Sequence, residues 1–316
     1  MSTTATTPTT VISARGLSIS LDDGSPNPPR MVYDLDLSVS AGECVGIVGE
    51  SGSGKSLTGL AMLNLLPDGV VASGGELRFG DADLRALSPR ELRRLRGKEV
   101  SMIFQDPSSA LNPSRTVKNQ IVDILRTHEK LTRAEAVARA VEALEDVGFA
   151  NAAARMDAFP FQLSGGLKQR VSIAMALACH PRLVIADEPT TNLDVSVQAG
   201  ILRLLRTRIE NDGFACIFVS HDLGVIGAVA DRVLVMYAGQ IVESGPVHEV
   251  LANPQHEYTR GLISAAPTMS SSRANPLRAY TGQRPALSST RPASEMVPVS
   301  GSAEHTVRRL TGGTAQ

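Results

Sequence analysis

The sequence has few aromatic residues, and it contains no tryptophan. Phe, Trp and Tyr together make up 3% of the 316 residues, which leaves few rings for the stacking platforms that bind single-stranded nucleic acid. The charges also nearly cancel, since 31 Lys and Arg residues stand against 32 Asp and Glu residues. A general nucleic-acid-binding protein is expected to be basic, so both features argue against that class.

Cysteines and long apolar runs are scarce as well. Cys44, Cys179 and Cys216 lie far apart and form no C-x-x-C pair, so neither a disulfide framework nor a zinc ribbon is indicated. No stretch approaches the roughly 18–20 apolar residues of a membrane span. The Thr-rich start lacks the basic and apolar regions of a signal peptide. We therefore expect reduced, mostly buried thiols in a cytoplasmic chain that is soluble by itself.

The composition is uneven along the chain. Hydrophobic residues make up 42% of the whole, which is enough for a folded core. Residues 1–10 are rich in Ser and Thr, and from about residue 268 the sequence is rich in Ser, Pro, Thr, Arg and Gly. Such segments bury too little apolar surface to offset the entropy cost of ordering. We predict disorder over residues 1–10 and 268–316.

The interior alternates strand and helix patterns. Continuous apolar runs predict strands buried on both faces, as in a parallel α/β sheet; the runs are Cys44–Val48, Leu183–Ala186, Phe214–Val219 and Val233–Tyr237. Capping boxes that begin at Ser88 and Thr132 predict helices between the runs. Ala238 and Gly239 predict a hairpin after the last run. Residues 106–163 carry helix and loop patterns without a strong strand, which predicts a separate helical lobe.

A glycine-rich segment follows the first apolar run and fits the pattern G-x-x-x-x-G-K-[ST]. It consists of Gly49, Glu50, Ser51, Gly52, Ser53, Gly54, Lys55 and Ser56. A strand before it and a helix-forming run after it are the context that a phosphate-binding P-loop requires. The glycines allow backbone N–H groups to surround a phosphate. We expect Lys55 to reach the β- and γ-phosphates and the Ser56 hydroxyl to bind Mg²⁺.

Two acids end the second apolar run, where α/β sheets bind their ligands. Asp187 fits the Walker-B carboxylate that holds Mg²⁺, directly or through water. Glu188 is then predicted to polarise the attacking water. A P-loop alone leaves kinases, GTPases, helicases and transport ATPases open.

The segment Leu163 to Arg170, LSGGLKQR, narrows that choice. It resembles the LSGGQxQR signature of ABC-transporter ATPases, with Leu167 where Gln is usual. Ser164 is predicted to cap the helix that follows it. The resemblance implies that the signature contacts ATP bound to a second subunit; its residues here are Leu163, Ser164, Gly165, Gly166 and Gln169.

Further segments resemble this family in the family's order. Ile103 to Pro107 resembles the Q-loop, which implies that Gln105 lies near Mg²⁺ and the attacking water. Asn192-Leu193-Asp194 resembles the D-loop, which implies that Asp194 crosses a dimer interface. Val219 to Asp222 resembles the switch strand, which implies that His221 contacts the γ-phosphate. The resemblance implies catalytic roles for Glu188, His221 and Gln105, and Mg²⁺ ligation by Ser56, Gln105 and Asp187.

A finer resemblance is to the ATPases of oligopeptide, dipeptide and nickel importers. It rests on the segments 105–113, 187–198, 221–225 and 230–243, and on His256 to Arg260, which resembles the His-Pro-Tyr-Thr element of that group. It implies an ABC ATPase domain over 11–245, with a RecA-like parallel-sheet core, an antiparallel β subdomain and the helical lobe at about 106–163. It also implies an importer-type extension over 246–267.

The resemblance also implies cofactors, partners and a location. ATP and Mg²⁺ are expected; no iron–sulfur cluster is, because the tail lacks the cysteines that some relatives carry. Expected partners are a second, identical or homologous ABC ATPase, two transmembrane permeases and, indirectly, an extracytoplasmic solute-binding protein, with no nucleic acid. The expected location is the cytoplasmic face of the cell membrane. One alternative is a soluble ABC ATPase of the DNA-repair or translation type. Another is a binding module without hydrolysis, and the intact Lys55, Asp187, Glu188 and His221 disfavour this second alternative.

Overall fold

The structure is a computed structural model that describes residues 9–191, 193–265, 294–302 and 304–310. The chain divides into two compact units. The first comprises Met1–Val11, Ser40–Glu43 and Ala86–Ile217. The second comprises Ile12–Val39, Cys44–Arg85 and Phe218–Gln316.

Strands and helices alternate through most of the chain. The strands are β1 Thr10–Leu21, β2 Arg30–Ser40, β3 Cys44–Val48, β4 Val70–Phe79, β5 Ala82–Asp83, β6 Val100–Ile103, β7 Leu183–Asp187, β8 Ala215–Ser220, β9 Arg232–Tyr237, β10 Gln240–Pro246, β11 Ser294–Pro298 and β12 Thr306–Leu310. The helices are α1 Lys55–Met62, α2 Pro89–Leu95, α3 Pro107–Ala110, α4 Val117–His128, α5 Arg133–Asp146, α6 Ala152–Arg155, α7 Gly165–Leu177, α8 Val195–Asp212, α9 Leu223–Val229, α10 Val247–Ala252 and α11 Glu257–Ala265. None of the helices in the described ranges is long and apolar enough to cross a membrane.

The first unit pairs β6 with β7 in parallel, with Val100 opposite Leu183. Both predicted capping boxes are confirmed, since Ser88 caps α2 and Thr132 caps α5 with reciprocal bonds to the third helical residue. Residues 106–163, all of which the structure describes, contain helices α3 to α6 and a 3₁₀ turn and no strand. They belong to the same compact unit as β6 and β7, and a separate helical lobe stays a prediction.

The second unit contains two sheets. In one, the strand order is β2-β1-β4-β5, and β4 is antiparallel to both β1 and β5. In the other, the order is β11-β12-β10-β9-β3. There β3 and β9 are parallel, and β9 and β10 form an antiparallel hairpin at Ala238 and Gly239, as predicted. The parallel strands, the antiparallel sheet and the helices confirm the predicted α/β class.

Burial of the central strands agrees with their continuous apolar sequences. Every residue of β3, β7 and β8 is buried. Glycine is required at Gly46 in β3, because a Cβ there would lie 2.6 Å from the side chain of Ile226 in α9. The absence of a side chain allows α9 to pack directly on β3.

The predicted disorder of the C-terminal tail is wrong for part of its length. Strands β11 and β12 lie within 268–316, and β12 pairs with β10, with Glu243 opposite Val307. Pairing with an existing sheet edge stabilises strands whose own composition would not fold. The other residues of that segment (268–293, 303 and 311–316) and residues 1–8 lie outside the described residues, and Thr10 already belongs to β1.

Candidate nucleotide-binding and hydrolysis site

The glycine-rich loop of the second unit connects β3 to α1, as the sequence predicts. Its conformation requires glycine at three positions. Gly52 and Gly54 have φ angles of 75° and 109°, which L side chains rarely adopt. A Cβ on Gly49 would clash with the carbonyl oxygen of Met236 in β9. The loop therefore lies tightly against the β9–β10 hairpin, and Gly239 donates its N–H to the Ser53 carbonyl at 3.0 Å.

Lys55 is the first residue of α1 and only 4% of its surface is exposed. Its Nζ donates to the carbonyl oxygens of Gly49, at 2.7 Å, and Glu50, at 2.9 Å. The buried Ser53 Oγ has no hydrogen-bond partner among the described residues. A buried ammonium, an orphan hydroxyl and the helix N-terminus are groups that suit a bound phosphate.

A residue of the C-terminal extension also contacts this loop. Tyr258 in α11 is fully buried, and its hydroxyl accepts the N–H of Glu50 at 2.7 Å. Tyr258 belongs to the importer-type element, but nothing in the sequence indicates its contact with the loop. The two residues are 208 positions apart, and neither periodicity nor local spacing in a single sequence links them.

The acidic strand end of the first unit is also where the sequence predicts it. Asp187 is the buried last residue of β7. Glu188 follows with a φ of 46°, a left-handed conformation that is uncommon for a non-glycine residue. Gln105 Nε2 donates to Glu188 Oε2 at 3.1 Å, and Thr191 Oγ1 donates to the same oxygen at 3.0 Å. The two hydrogen bonds and the left-handed backbone fix the direction of this carboxylate. Such a backbone conformation is a form of local strain that is often found at functional sites.

The predicted signature residues lie at the start of α7 in the first unit. Ser164 precedes the helix and is exposed with Gly165, whereas Leu163 is buried. One expectation is corrected: Ser164 holds the N-cap position, but its side chain makes no capping hydrogen bond. Gln169 is 1% exposed, and its role in the signature stays a prediction.

The remaining predicted residues lie at exposed positions in separate units. Asp194, in the first unit, caps α8; its carboxylate accepts from Ser196 Oγ and Val197 N–H. These hydrogen bonds, with that of Ser196 as the largest cause, lower the pKa of Asp194. His221, in the second unit, directly follows β8 and is exposed. Asn192 lies outside the described residues.

The oxygen atoms predicted to bind the metal are, in each unit taken separately, of a kind that suits Mg²⁺. Ser56, which is exposed in the first turn of α1, offers a hydroxyl oxygen, Asp187 a carboxylate and Gln105 an amide oxygen. Hard oxygen ligands of this kind are those that Mg²⁺ prefers.

Comparison with known families agrees with these features. Residues 32–191, about half of the chain, match the family model described as ABC transporter. The chain belongs to the ABC transporter family. This ABC chain also matches, over residues 242–293, the model described as oligopeptide/dipeptide transporter, C-terminal region. The second match begins next to Glu243 and includes Tyr258.

Individual relatives agree with the family models. The chain is 48% identical over 262 residues to the oligopeptide transport ATP-binding protein OppD of Bacillus subtilis (strain 168), covering 82% of this chain and 72% of the relative. It is 46% identical over 253 residues to the dipeptide transport ATP-binding protein DppD of Escherichia coli (strain K12), covering 79% and 76%.

Solved structures of ABC cassettes share the fold. The dimeric post-hydrolysis structure of the ATP-binding cassette MJ0796, bound to ADP and Pi, has a TM-score of 0.66 and 26% identity to this chain. The likeness covers 75% of this chain and 98% of the cassette. The predicted P-loop ABC ATPase fold is confirmed, and the chain is an ATPase of that family.

Proposed function

We propose that this ABC ATPase is the ATP-hydrolysing subunit of an importer for peptides or related solutes. The observation that carries the proposal is the match of residues 242–293 to the C-terminal region of oligopeptide/dipeptide transporters. This match lies outside the segment 32–191 that the general ABC model matches. It favours import over a soluble DNA-repair or translation ATPase. Nickel is the alternative solute.

In this proposal, the P-loop binds the phosphates of ATP, and the acidic strand end acts in its hydrolysis. Lys55 and the loop amides bind the β- and γ-phosphates, with Gly49 to Ser56 surrounding them. Ser56, Asp187 and Gln105 would hold Mg²⁺, which would neutralise phosphate charge when bound.

Glu188 accepts a proton from the attacking water in the same proposal. The hydrogen bonds from Gln105 and Thr191 support this role, because they orient one carboxylate oxygen. His221, which follows β8, contacts the γ-phosphate. Hydrolysis removes this contact, and the conformation of the chain changes as a result.

A second ABC ATPase completes each site. Ser164, Gly165 and Gly166 of one chain face ATP on the other, and Asp194 lies at the interface between the chains. The exposure of Ser164 and Gly165 supports this arrangement. ATP-driven closure then moves two permease subunits that receive solute from an extracytoplasmic binding protein. The ATPases lie at the cytoplasmic face of the membrane.

The first test of the proposal measures ATP hydrolysis and ATP binding by Glu188→Gln and by a control variant. Glu188→Gln should lower steady-state ATP hydrolysis about 10²- to 10⁴-fold, because an amide cannot accept the proton, while ATP binding is retained. Glu145→Gln is the matched control, since Glu145 is an exposed carboxylate on α5. Normal hydrolysis by Glu188→Gln would contradict the role of Glu188.

The second test measures transport in the strain of origin from which the gene for this chain has been deleted. Uptake of a radiolabelled oligopeptide, a dipeptide and Ni²⁺ is compared after complementation with the parent chain or with Glu188→Gln. We expect only the parent chain to restore peptide uptake. Restoration of Ni²⁺ uptake alone would identify the metal as the solute, and unchanged uptake of all three would contradict import.

A further inference from the structure

One peptide group of the P-loop is hydrogen-bonded at both ends. The carbonyl of Gly49 accepts from Lys55 Nζ at 2.7 Å, and the N–H of Glu50, in the same peptide group, donates to the Tyr258 hydroxyl at 2.7 Å. Lys55 belongs to the loop motif, whereas Tyr258 belongs to the C-terminal extension. The orientation of this peptide plane therefore depends on a residue outside the motif.

Tyr258 is itself held in a fixed position. Its ring lies against that of Tyr237 in β9, with 4.4 Å between ring centroids. Its backbone N–H donates to His256 Nδ1 at 3.2 Å. The phenol is fully buried, so its hydroxyl has little freedom to move away from the loop.

The segment before α11 is attached to a buried carboxylate. Glu243 of β10 is fully buried, and its two oxygens accept the N–H groups of Gln255, at 2.7 Å, and His256, at 3.0 Å. The same carboxylate lies 2.7 Å from Nε2 of His305, which is 1% exposed. A buried carboxylate needs such partners, and losing one is costly. Glu243 therefore connects the C-terminal strands to the start of α11.

We propose that Tyr258 is a positioning residue for the P-loop, and that the Glu243–His305 contact sets its position from the C-terminal strands. This inference rests on the proposed role of the loop in nucleotide binding. When Tyr258 holds the Glu50 N–H, the other amides of the loop keep one arrangement before ATP binds. The entropy cost of ordering the loop on binding is then smaller. The C-terminal strands thereby adjust the affinity for ATP.

A conservative variant separates this role from simple stability. The Glu50 N–H donates to the fully buried Tyr258 hydroxyl, so removing that hydroxyl costs one hydrogen bond. Tyr258→Phe keeps the ring and its contact with Tyr237. We therefore expect the variant to fold, with a melting temperature slightly below that of the parent, and to differ in nucleotide affinity.

The first test titrates the full-length chain with Mg-ATP at equilibrium and measures its steady-state kinetics. Tyr258→Phe should raise the Kd and KM for ATP about 3- to 10-fold, the range of one neutral hydrogen bond. At saturating ATP, kcat should stay within about twofold of the parent. Thr259→Val is the matched control, because Thr259 is the fully buried neighbour on α11 and its hydroxyl has no hydrogen-bond partner among the described residues. It should leave Kd unchanged.

The second test addresses the connection to the C-terminal strands. His305→Ala should raise Kd in the same direction, and His305→Gln, whose amide can donate to Glu243, should restore it. In the Tyr258→Phe background, His305→Ala should add nothing further to Kd, because both changes act through one hydroxyl. Additive effects would overturn the connection.

The outcomes distinguish this inference from the function on which it rests. Parent-like affinity of Tyr258→Phe overturns the positioning role while the parent chain still binds ATP. An equal loss in Thr259→Val would show a general effect of α11 and would also overturn it. Failure of the parent chain itself to bind ATP would instead contradict the proposed function.

Discussion

Gln105 donates its side-chain amide to the carboxylate of Glu188, with 3.1 Å between Nε2 and Oε2. The two residues are 83 positions apart and follow neighbouring parallel strands, β6 and β7. Thr191 donates to the same oxygen. The Q-loop residue therefore contacts the predicted general base directly, besides being a candidate Mg²⁺ ligand.

This contact predicts how substitutions at Gln105 act. Gln105→Ala should lower kcat about tenfold, equivalent to about 1.4 kcal/mol, because Glu188 loses one orienting donor. Gln105→Glu has nearly the same shape but places a second carboxylate against Glu188, so like-charge repulsion should make its loss larger. Steady-state ATPase assays measure the change in kcat, and equilibrium ATP titrations show whether ATP binding changes as well. Equal kcat values for the parent and both variants would show that the contact does not matter to hydrolysis.

Lys55 gives a prediction about binding. Lys55→Ala removes the ammonium that bonds two loop carbonyls and is expected to meet the phosphates. Charge-assisted hydrogen bonds contribute about 1.5–3 kcal/mol, so Kd for ATP should rise about 10- to 100-fold. Lys55→Arg keeps the charge and should lose less. Equilibrium titration with a fluorescent ATP analogue measures both, and thermal unfolding shows whether each variant is folded. Unchanged affinity in Lys55→Ala would remove this loop from the nucleotide site.

Elements with strong local signals were predictable from the sequence. The continuous apolar run Cys44–Val48 is strand β3 with the same bounds, and Ser88 and Thr132 form the predicted capping boxes. The P-loop lies between a strand and a helix because its glycines and its lysine specify that turn locally. These features depend on neighbours within a few positions.

The features that sequence analysis missed depend on distant contacts. Strands β11 and β12 have a composition typical of disorder, and β12 gains its conformation by pairing with β10. His305 meets Glu243 across 62 positions, and Tyr258 meets Glu50 across 208. The burial of Gln169 likewise follows from the packing of α7, which is buried around most of its circumference. Propensity and periodicity carry no information about such partners.

His256 predicts a pH dependence of stability. Burial lowers the pKa of His256 from its ordinary value of 6.5, against the opposing charges of Glu243 and Glu257. The unfolded chain then binds a proton near pH 6.5 while the folded chain still resists it. Stability is therefore full above about pH 6.5, declines as pH falls below it, and the loss stops growing below the folded pKa.

The matched variant for this effect is His256→Asn, which keeps a side-chain acceptor for the Tyr258 N–H but does not titrate. Urea unfolding between pH 7.5 and 5.5 should show a smaller loss of stability in the variant than in the parent chain. His128, whose pKa is also lowered mainly by burial, is present in both proteins, so its contribution cancels. Parallel stability curves would contradict the contribution of His256.

Ser164 predicts how two chains share a site. Ser164 is exposed and its side chain makes no capping bond, so Ser164→Ala should leave both α7 and the melting temperature unchanged. Ser164→Arg places a bulky cation where the partner chain's ATP must dock. It should block ATP-dependent dimer closure while ATP still binds the P-loop of the mutant chain. Size-exclusion chromatography with Mg-ATP, in the Glu188→Gln background, measures closure.

Mixing separates use of the signature within one chain from use across two. In a mixed dimer of Ser164→Arg and Lys55→Ala chains, one site combines an intact P-loop with the intact signature of the other chain, and the second site carries both defects. We expect mixing to restore closure at one site, which neither variant shows alone. Normal closure by Ser164→Arg alone in the Glu188→Gln background, or normal hydrolysis by Ser164→Arg with Glu188 intact, would contradict the signature assignment. If only a different ATPase chain restores closure, the natural partner is a homologue and not a second copy, because a self-pairing chain would have closed with its own complementary variant.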